Sequence, residues 1–262
     1  YLLGHNIGYS ASPAMMHAAF AALGMDHRYE LRDCPSEDLA GVLDELRASG
    51  GGANVTVPHK IAAARACDRL SDAAAQLGAI NTIEVVDGEL VGHNTDYFAI
   101  INEIATLVMA RLERGGNQGG AAISSAAILG NGGAARAVKQ VLDDAGIAVD
   151  ILARSTGTWD RIDEVVPQVD LLVNATPIGT ESRELPIAQE LLRADLSVFD
   201  LVYRPTPTAL VAKARAAGAI ARGGAHMLAS QGARAFEIWL GETAPEAVMY
   251  EAVLTEVGAN DV

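Results

Sequence analysis

The run Gly130-Asn131-Gly132-Gly133-Ala134-Ala135 constrains this chain more than any other feature. It follows the apolar stretch Ala126–Leu129 and precedes a helical stretch, so it reads as a strand, a glycine turn and a helix opening. In such a turn the first glycine permits a sharp reversal. The second leaves room for a pyrophosphate, and a small residue at Ala135 lets the helix pack close to the strand. The free N–H groups at the helix start then face the anion. Gly130, Asn131, Gly132, Gly133, Ala134 and Ala135 are therefore the expected dinucleotide contacts, with a plain glycine-rich turn as the alternative.

The surrounding rhythm supports this reading. Strands are expected at Ala126–Leu129, Ala148–Ala153, Leu171–Ala175 and Val198–Leu201, with helices at Ala134–Ala145 and from a Thr206-Pro207 cap to Ala217. That alternation predicts a parallel sheet covered by helices, an α/β fold. At the end of the second strand, Ala153-Arg154-Ser155-Thr156 offers no carboxylate for a ribose diol, whereas Arg154 can meet a 2′-phosphate. NADP is the expected cofactor, with NAD the alternative, and Arg154, Ser155 and Thr156 join its site.

The first third reads differently. A strand is expected over Tyr1–Ile7, and Ser12-Pro13 opens a helix with Ser12 as its cap. A helix from Ser36 buries Leu39, Val42, Leu43 and Leu46. Asp87-Gly88 joins Ile80–Val86 to Leu90–Gly92 in a hairpin. Period-2 alternation in Ala53–Val57 sends Asn54 and Thr56 to one face, and Lys60 follows in the next turn. A helical stretch runs from Asp96 to about Leu112. Glu113–Ser125 reads as a flexible loop, and the tail is helical over Met227–Leu240 and Ala244–Val257. Ser10 and Ser12 beside a helix start make a seat for a carboxylate. With Asn54, Thr56, Lys60, Asn81 and Asp96 they supply amide, hydroxyl, ammonium and carboxylate groups suited to a small polyol acid.

These motifs, in their order, resemble the shikimate dehydrogenase family: Ser10-x-Ser12-Pro13, Asn54-Val55-Thr56-Val57-Pro58-x-Lys60, Ala79-Ile80-Asn81-Thr82, Asn94-Thr95-Asp96, Gly130-x-Gly132-Gly133-Ala134, Asn174-Ala175-Thr176-Pro177, Tyr203 and Met227-Leu228-Ala229-Ser230-Gln231. The resemblance implies two domains flanking a cleft. A substrate-binding domain would span residues 1–97, completed by 225–262, and a Rossmann-like NADP domain would span 98–224. It implies reversible hydride transfer between NADPH and 3-dehydroshikimate, with Lys60 and Asp96 as the catalytic pair. Ser10, Ser12 and Tyr203 would hold the carboxylate, and Asn54, Thr56, Asn81, Asp96 and Gln231 the ring hydroxyls. Thr176, Leu201, Gly224 and Met227 complete the cofactor set.

Several residues depart from the family's pattern. Tyr97-Phe98 replaces a common glycine, Tyr9 a common histidine, and His226 a small or apolar residue. Thr158 stands where a second arginine is common, with Arg161 close by. These changes leave a quinate or aminoshikimate dehydrogenase as the alternative, and a catalytically silent binding protein as a third reading. Retention of both Lys60 and Asp96 argues against that third reading, because a sensor needs no proton donor.

Charge and cysteine content narrow the setting. Against 33 acidic residues stand 19 basic ones, a net charge of −14. That field disfavours nucleic acid and anionic lipid as partners. Cys34 and Cys67 are expected as free thiols of a reducing, cytoplasmic compartment. No apolar run reaches the length of a membrane helix, and no signal peptide is recognised. Tyr1 in place of Met points to a short leader outside this numbering. No histidine spacing suggests a metal. A monomer or homodimer is expected.

Overall fold

The computed structural model describes residues 1–115 and 122–258. The polypeptide divides into two compact units, one of Tyr1–Phe98 with Leu228–Glu256, the other of Ala99–Met227 with residues 257–258. Both are α/β.

The first unit carries a six-stranded sheet in the order β2-β1-β3-β5-β6-β4. Its strands are β1 (Leu2–Gly4), β2 (Leu31–Asp33), β3 (Gly52–Val55), β4 (Arg69–Leu70), β5 (Thr82–Val86) and β6 (Glu89–His93). β1 pairs in parallel with β2 and β3, whereas β3-β5 and β5-β6 are antiparallel. The β5-β6 hairpin turns at Asp87 and Gly88, both with positive φ (51° and 81°), as a tight two-residue loop requires. On one face lies α2 (Leu39–Ser49), whose buried stripe Leu39, Val42, Leu43 and Leu46 meets Leu3, Ala53, Val55, Ile80 and Ile83. The short helices α3 (Lys60–Ala66) and α4 (Asp72–Leu77) complete that core through Ala63, Ala64 and Ala74. The helix α1 (Ser12–Ala22) packs on α10 (Glu246–Glu256). Close approach is also built in at Gly52, where a Cβ would lie 2.5 Å from the Trp239 indole.

The second unit carries a five-stranded sheet in the order β11-β10-β9-β7-β8. Its strands are β7 (Ser125–Leu129), β8 (Ala148–Leu152), β9 (Leu171–Asn174), β10 (Ser197–Asp200) and β11 (Ile220–Gly223), all paired in parallel. β9 and β10 are buried throughout, as expected of parallel strands covered on both faces. Around them lie α6 (Gly133–Asp144), α7 (Ile162–Val165) and α8 (Ala209–Ala216). The long helices α5 (Thr95–Gly115) and α9 (Gly224–Leu240) each begin at a site-forming residue cluster.

Several expected boundaries shift. β1 ends at Gly4, because the chain then turns through Asn6 at φ 58°. Ser12 is the first helical residue, not the cap, and Ser10 Oγ accepts its N–H at 3.2 Å. The side-chain cap of α8 is Thr208, whose Oγ1 accepts from Val211 N, rather than Thr206-Pro207. Lys60 opens α3 rather than sitting in a turn. α5 extends through Gly115, into the expected loop, of which residues 116–121 lie outside the described residues. β2, β4 and β11 carry no apolar alternation. β2 is exposed at all three positions, so its sequence lacks the pattern that marks a buried strand.

At Gly224 a Cβ would stand 2.2 Å from the Leu201 carbonyl oxygen, a backbone atom without room to retreat. Gly224→Ala is expected to destabilise by about 2–3 kcal/mol, read as a fall of roughly 5 °C or more in Tm.

Candidate active site

In the first unit Lys60 Nζ donates to Asp96 Oδ2 at 2.5 Å, both side chains being largely shielded. Three local decisions place this pair. Lys60 is the first residue of α3, and its carbonyl accepts from Ile80 N at 3.0 Å, which ties that turn to the residue before Asn81. Behind it, the fully buried His59 imidazole bonds the Cys34 carbonyl at 2.8 Å. Asp96 sits in the first turn of α5, where a carboxylate is favoured by the helix dipole.

Asn81 joins the pieces. Its Oδ1 accepts from Thr95 N at 2.7 Å, and its amide nitrogen lies 2.8 Å from Asp96 Oδ1, 2.8 Å from Thr95 Oγ1 and 3.2 Å from Gln231 Oε1. An amide has two hydrogens, and Asp96 and Gln231 present only acceptors in these geometries. The Thr95 hydroxyl therefore donates to Asn81 Oδ1, which lies 3.2 Å away. Asn81 thus sets the rotamers of a carboxylate and a glutamine at once. Gln231 is further fixed by its own donation to Leu228 O.

Asn54 is buried and turned towards its neighbours. Its amide donates to Asn81 O and Thr82 Oγ1, and its oxygen accepts from Tyr29 OH at 2.6 Å. Burial pushes the Tyr29 phenol far up, so it stays a donor and fixes the orientation of that amide. Tyr29 lies outside the sequence motifs, and its charged neighbours Asp26, Arg28 and Glu30 give no sign that it is buried. Thr56 packs its methyl against Gly4, where a Cβ would come within 2.5 Å. Ser10 and Ser12 are hydrogen-bonded to each other at 3.1 Å at the start of α1. Both cysteines are free, and burial raises both thiols, that of Cys67 to about 11.

In the second unit the parallel register places Leu152, Leu129, Asn174, Asp200 and Gly223 in one row at the carboxyl edge of the sheet. The expected cofactor residues Gly130, Arg154, Thr176, Leu201, Gly224 and Met227 all follow within a few residues of that row. β8 and β9 flank β7 on opposite sides, which makes this edge a topological switch point, where α/β sheets hold ligands.

Gly130 has φ 105°, and a Cβ there would press on the Ala175 carbonyl at 3.0 Å. Gly132 and Gly133, by contrast, have open space where a Cβ would stand. The first turn of α6 holds no acidic residue, and Ala135 is fully buried beneath it. An open glycine cradle on an uncompensated helix start fits a pyrophosphate. Tyr203 also belongs to this unit, three residues past β10.

Beyond β8, the exposed Arg154 guanidinium lies 5.1 Å from the Trp159 ring centre. Thr158 is not a surface position that awaits a cation. Its hydroxyl donates to Ile151 O and accepts from Ala153 N, closing the 153–158 loop. Arg161 faces Asp150 at 3.9 Å and Glu164 at 3.4 Å.

Sequence reasoning missed Glu103. It is fully buried and takes Arg222 Nε at 2.5 Å and His226 Nδ1 at 2.6 Å. Its only signal is an acidic residue in phase with the apolar positions Ile100, Ile104 and Leu107 of α5. Burial alone would raise its pKa, but the hydrogen bonds and charges of His226 and Arg222 outweigh it and hold the carboxyl below its ordinary 4.5. Among the described residues no cluster could hold a metal ion, and no helix is long and apolar enough to cross a membrane.

A glycine cradle at a parallel switch point in one unit, and a lysine–carboxylate pair within an ordered amide network in the other, define a dinucleotide-dependent oxidoreductase of polar small molecules. Comparison with known proteins narrows the class. Residues 2–83 match the model of the shikimate dehydrogenase substrate binding domain, and residues 224–254 that of the shikimate 5′-dehydrogenase C-terminal domain. The NADP(+) shikimate dehydrogenases of Natronomonas pharaonis and Methanopyrus kandleri are each 38% identical, over 96% and 97% of this chain and 97% and 93% of theirs. The Thermus thermophilus shikimate 5-dehydrogenase, solved with NADP(H) and shikimate, is 35% identical with a TM-score of 0.81, covering 97% of this chain and 98% of that one. The chain belongs to the shikimate dehydrogenase family.

Glu103→Gln leaves Arg222 and His226 without their shared anion. It is expected to cost about 3 kcal/mol, the lower end for a broken buried pair, because both partners keep some contact with water. Since the folded pKa lies below the unfolded one, the ion-pair stability is complete above 4.5 and is lost as pH falls through the folded value. The Tm gap between parent and variant should therefore shrink on acidification.

Proposed function

We propose that the protein is an NADP-dependent shikimate dehydrogenase, reducing 3-dehydroshikimate to shikimate and running in reverse with NADP⁺. The observation that carries this reading is the 2.5 Å contact of Lys60 with an Asp96 carboxylate that Asn81 holds from its other oxygen. We assign the unit of Tyr1–Phe98 and Leu228–Glu256 to substrate and the parallel unit to cofactor. Full-length similarity to NADP(+) shikimate dehydrogenases favours this substrate over quinate or an aminated analogue.

Bound NADPH supplies the hydride, two electrons and one hydrogen nucleus, to the ring ketone carbon. The oxygen gains negative charge as the hydride arrives, and Lys60 Nζ donates a proton to it, which yields the hydroxyl. In the oxidative direction the same nitrogen removes the hydroxyl proton. Asp96 aims the ammonium and stabilises its charge, and its Oδ1 is kept in register by Asn81. Ser10 and Ser12, at the start of α1, present hydroxyls for the substrate carboxylate, with Tyr203 as a further donor. Asn54, Thr56, Asn81 and Gln231 serve the ring hydroxyls. Gly132 and Gly133 cradle the pyrophosphate at the start of α6, and Arg154, Ser155 and Thr156 take the 2′-phosphate. Thr176, Leu201, Gly224 and Met227 line the nicotinamide side. The two free thiols, Cys34 buried and Cys67 partly so, support a reducing, cytoplasmic setting.

Removing a positioned general acid costs roughly 10²–10⁴ in rate. Lys60→Ala is therefore expected to lower kcat within that range while the KM for shikimate changes far less. Steady-state NADPH formation from shikimate checks this, and a variant turning over at the parental rate would refute the catalytic role.

A further inference from the structure

Asp200 closes β10 with only 1% of its surface exposed, so it touches neither cofactor nor substrate. Three donors nevertheless converge on it. Its Oδ1 accepts from Asn174 Nδ2 at 2.9 Å and from Val202 N at 3.1 Å, and its Oδ2 accepts from Thr208 Oγ1 at 2.6 Å. A carboxylate with these partners can only accept, so it dictates which way the Asn174 amide faces. The NH₂ points to Asp200 and to Ile178 O, 3.1 Å away. The carbonyl oxygen must then face Thr176, from which it accepts both the N–H at 3.1 Å and the hydroxyl at 2.6 Å. Both hydrogens and both lone pairs of that amide are used.

The two turns governed in this way are those on which the glycine positions rest. The Ala175 carbonyl lies against Gly130, and the Leu201 carbonyl against Gly224. The Val202 N–H bound by Asp200 belongs to the second of these turns, and Val202 O accepts from Gly224 N at 3.1 Å. One buried carboxylate therefore orders two of the four loops at the carboxyl edge of the sheet.

We propose that Asp200 is a positioning residue of the dinucleotide site, setting NADPH affinity through the Asn174 amide and the Leu201–Val202 turn. This rests on the cofactor reading above. Without the carboxylate the Asn174 amide can flip and present its NH₂ to the Thr176 N–H, donor against donor.

The test titrates NADPH by its fluorescence into the full-length protein, with KM and kcat measured alongside. Asp200→Ala is expected to raise the Kd and KM for NADPH about tenfold, as the loss of one or two hydrogen bonds implies, with kcat at saturating NADPH nearly unchanged. Asp200→Asn keeps an oxygen towards Asn174 and Val202 and is expected to recover most of that affinity. Asp170→Ala is the structural control. It removes a carboxylate bound by Ser124, Ser125 and Arg111 at the opposite edge of the same sheet, and should lower Tm while leaving the NADPH Kd near the parental value. If Asp200→Ala does not fold, Asn174→Ser removes the relay amide and should weaken NADPH to the same degree. Parental affinity in Asp200→Ala or Asn174→Ser overturns the proposal, as does equal weakening in Asp170→Ala. A parental protein that does not bind NADPH overturns the cofactor reading and this proposal together, and is distinguished by being read first.

Discussion

A single side-chain amide, that of Asn81, holds the polar centre of the first unit together. It is 97% shielded from water and spends its hydrogens on Asp96 and Gln231. Asn54, Thr82, Thr95 and Gln231 around it are buried, so their polar groups must be matched by other protein atoms. That requirement turns a loose set of polar residues into one arrangement. Asp96 accepts from Lys60, Thr95 donates its N–H to the Asn81 side-chain oxygen, and Asn54 is turned by Tyr29 to face the Asn81 carbonyl. The hydrophobic layer beneath, from Leu3 through Leu46 to Ile83, makes the platform stiff enough for these contacts to hold.

The second unit reaches order by a different route. Five parallel strands, the central β9 and β10 buried throughout, bring their carboxyl ends into one row, and the loops beyond that row are the cofactor candidates. Glycine matters at opposite extremes there. Gly130 and Gly224 are glycine because backbone carbonyls press on them, while Gly132 and Gly133 keep an open surface. The same residue type thus serves closeness at one end of the cradle and vacancy at the other.

Much of this was legible in the sequence because the signals were local and strong. The strands β7, β9 and β10 are short apolar runs, and the Asp87-Gly88 turn and the Leu39–Leu46 stripe follow directly from backbone geometry and helical period. The motif positions Lys60, Asn81, Asp96 and Gln231 are brought together by hydrogen bonds across as many as 150 residues of sequence. Their contacts could be expected only through family resemblance, since spacing alone does not encode them. What escaped was tertiary in origin. β2 is charged and exposed, so nothing but its parallel neighbour makes it a strand. Tyr29, Glu103 and Asp200 acquire their roles from burial beside partners distant in sequence. Thr158, which stands where a second arginine is common, spends its hydroxyl on closing its own loop, a contact that local sequence does not announce.

We propose that Lys60 and Asp96 meet the reacting oxygen of the ring. A crystal structure with shikimate and NADP⁺ bound measures this directly. That oxygen is expected within hydrogen-bonding reach of Lys60 Nζ, about 2.6–3.2 Å, with Asp96 still on the same ammonium. A bound ring whose reacting oxygen is held by other groups, with Lys60 turned away, would contradict it.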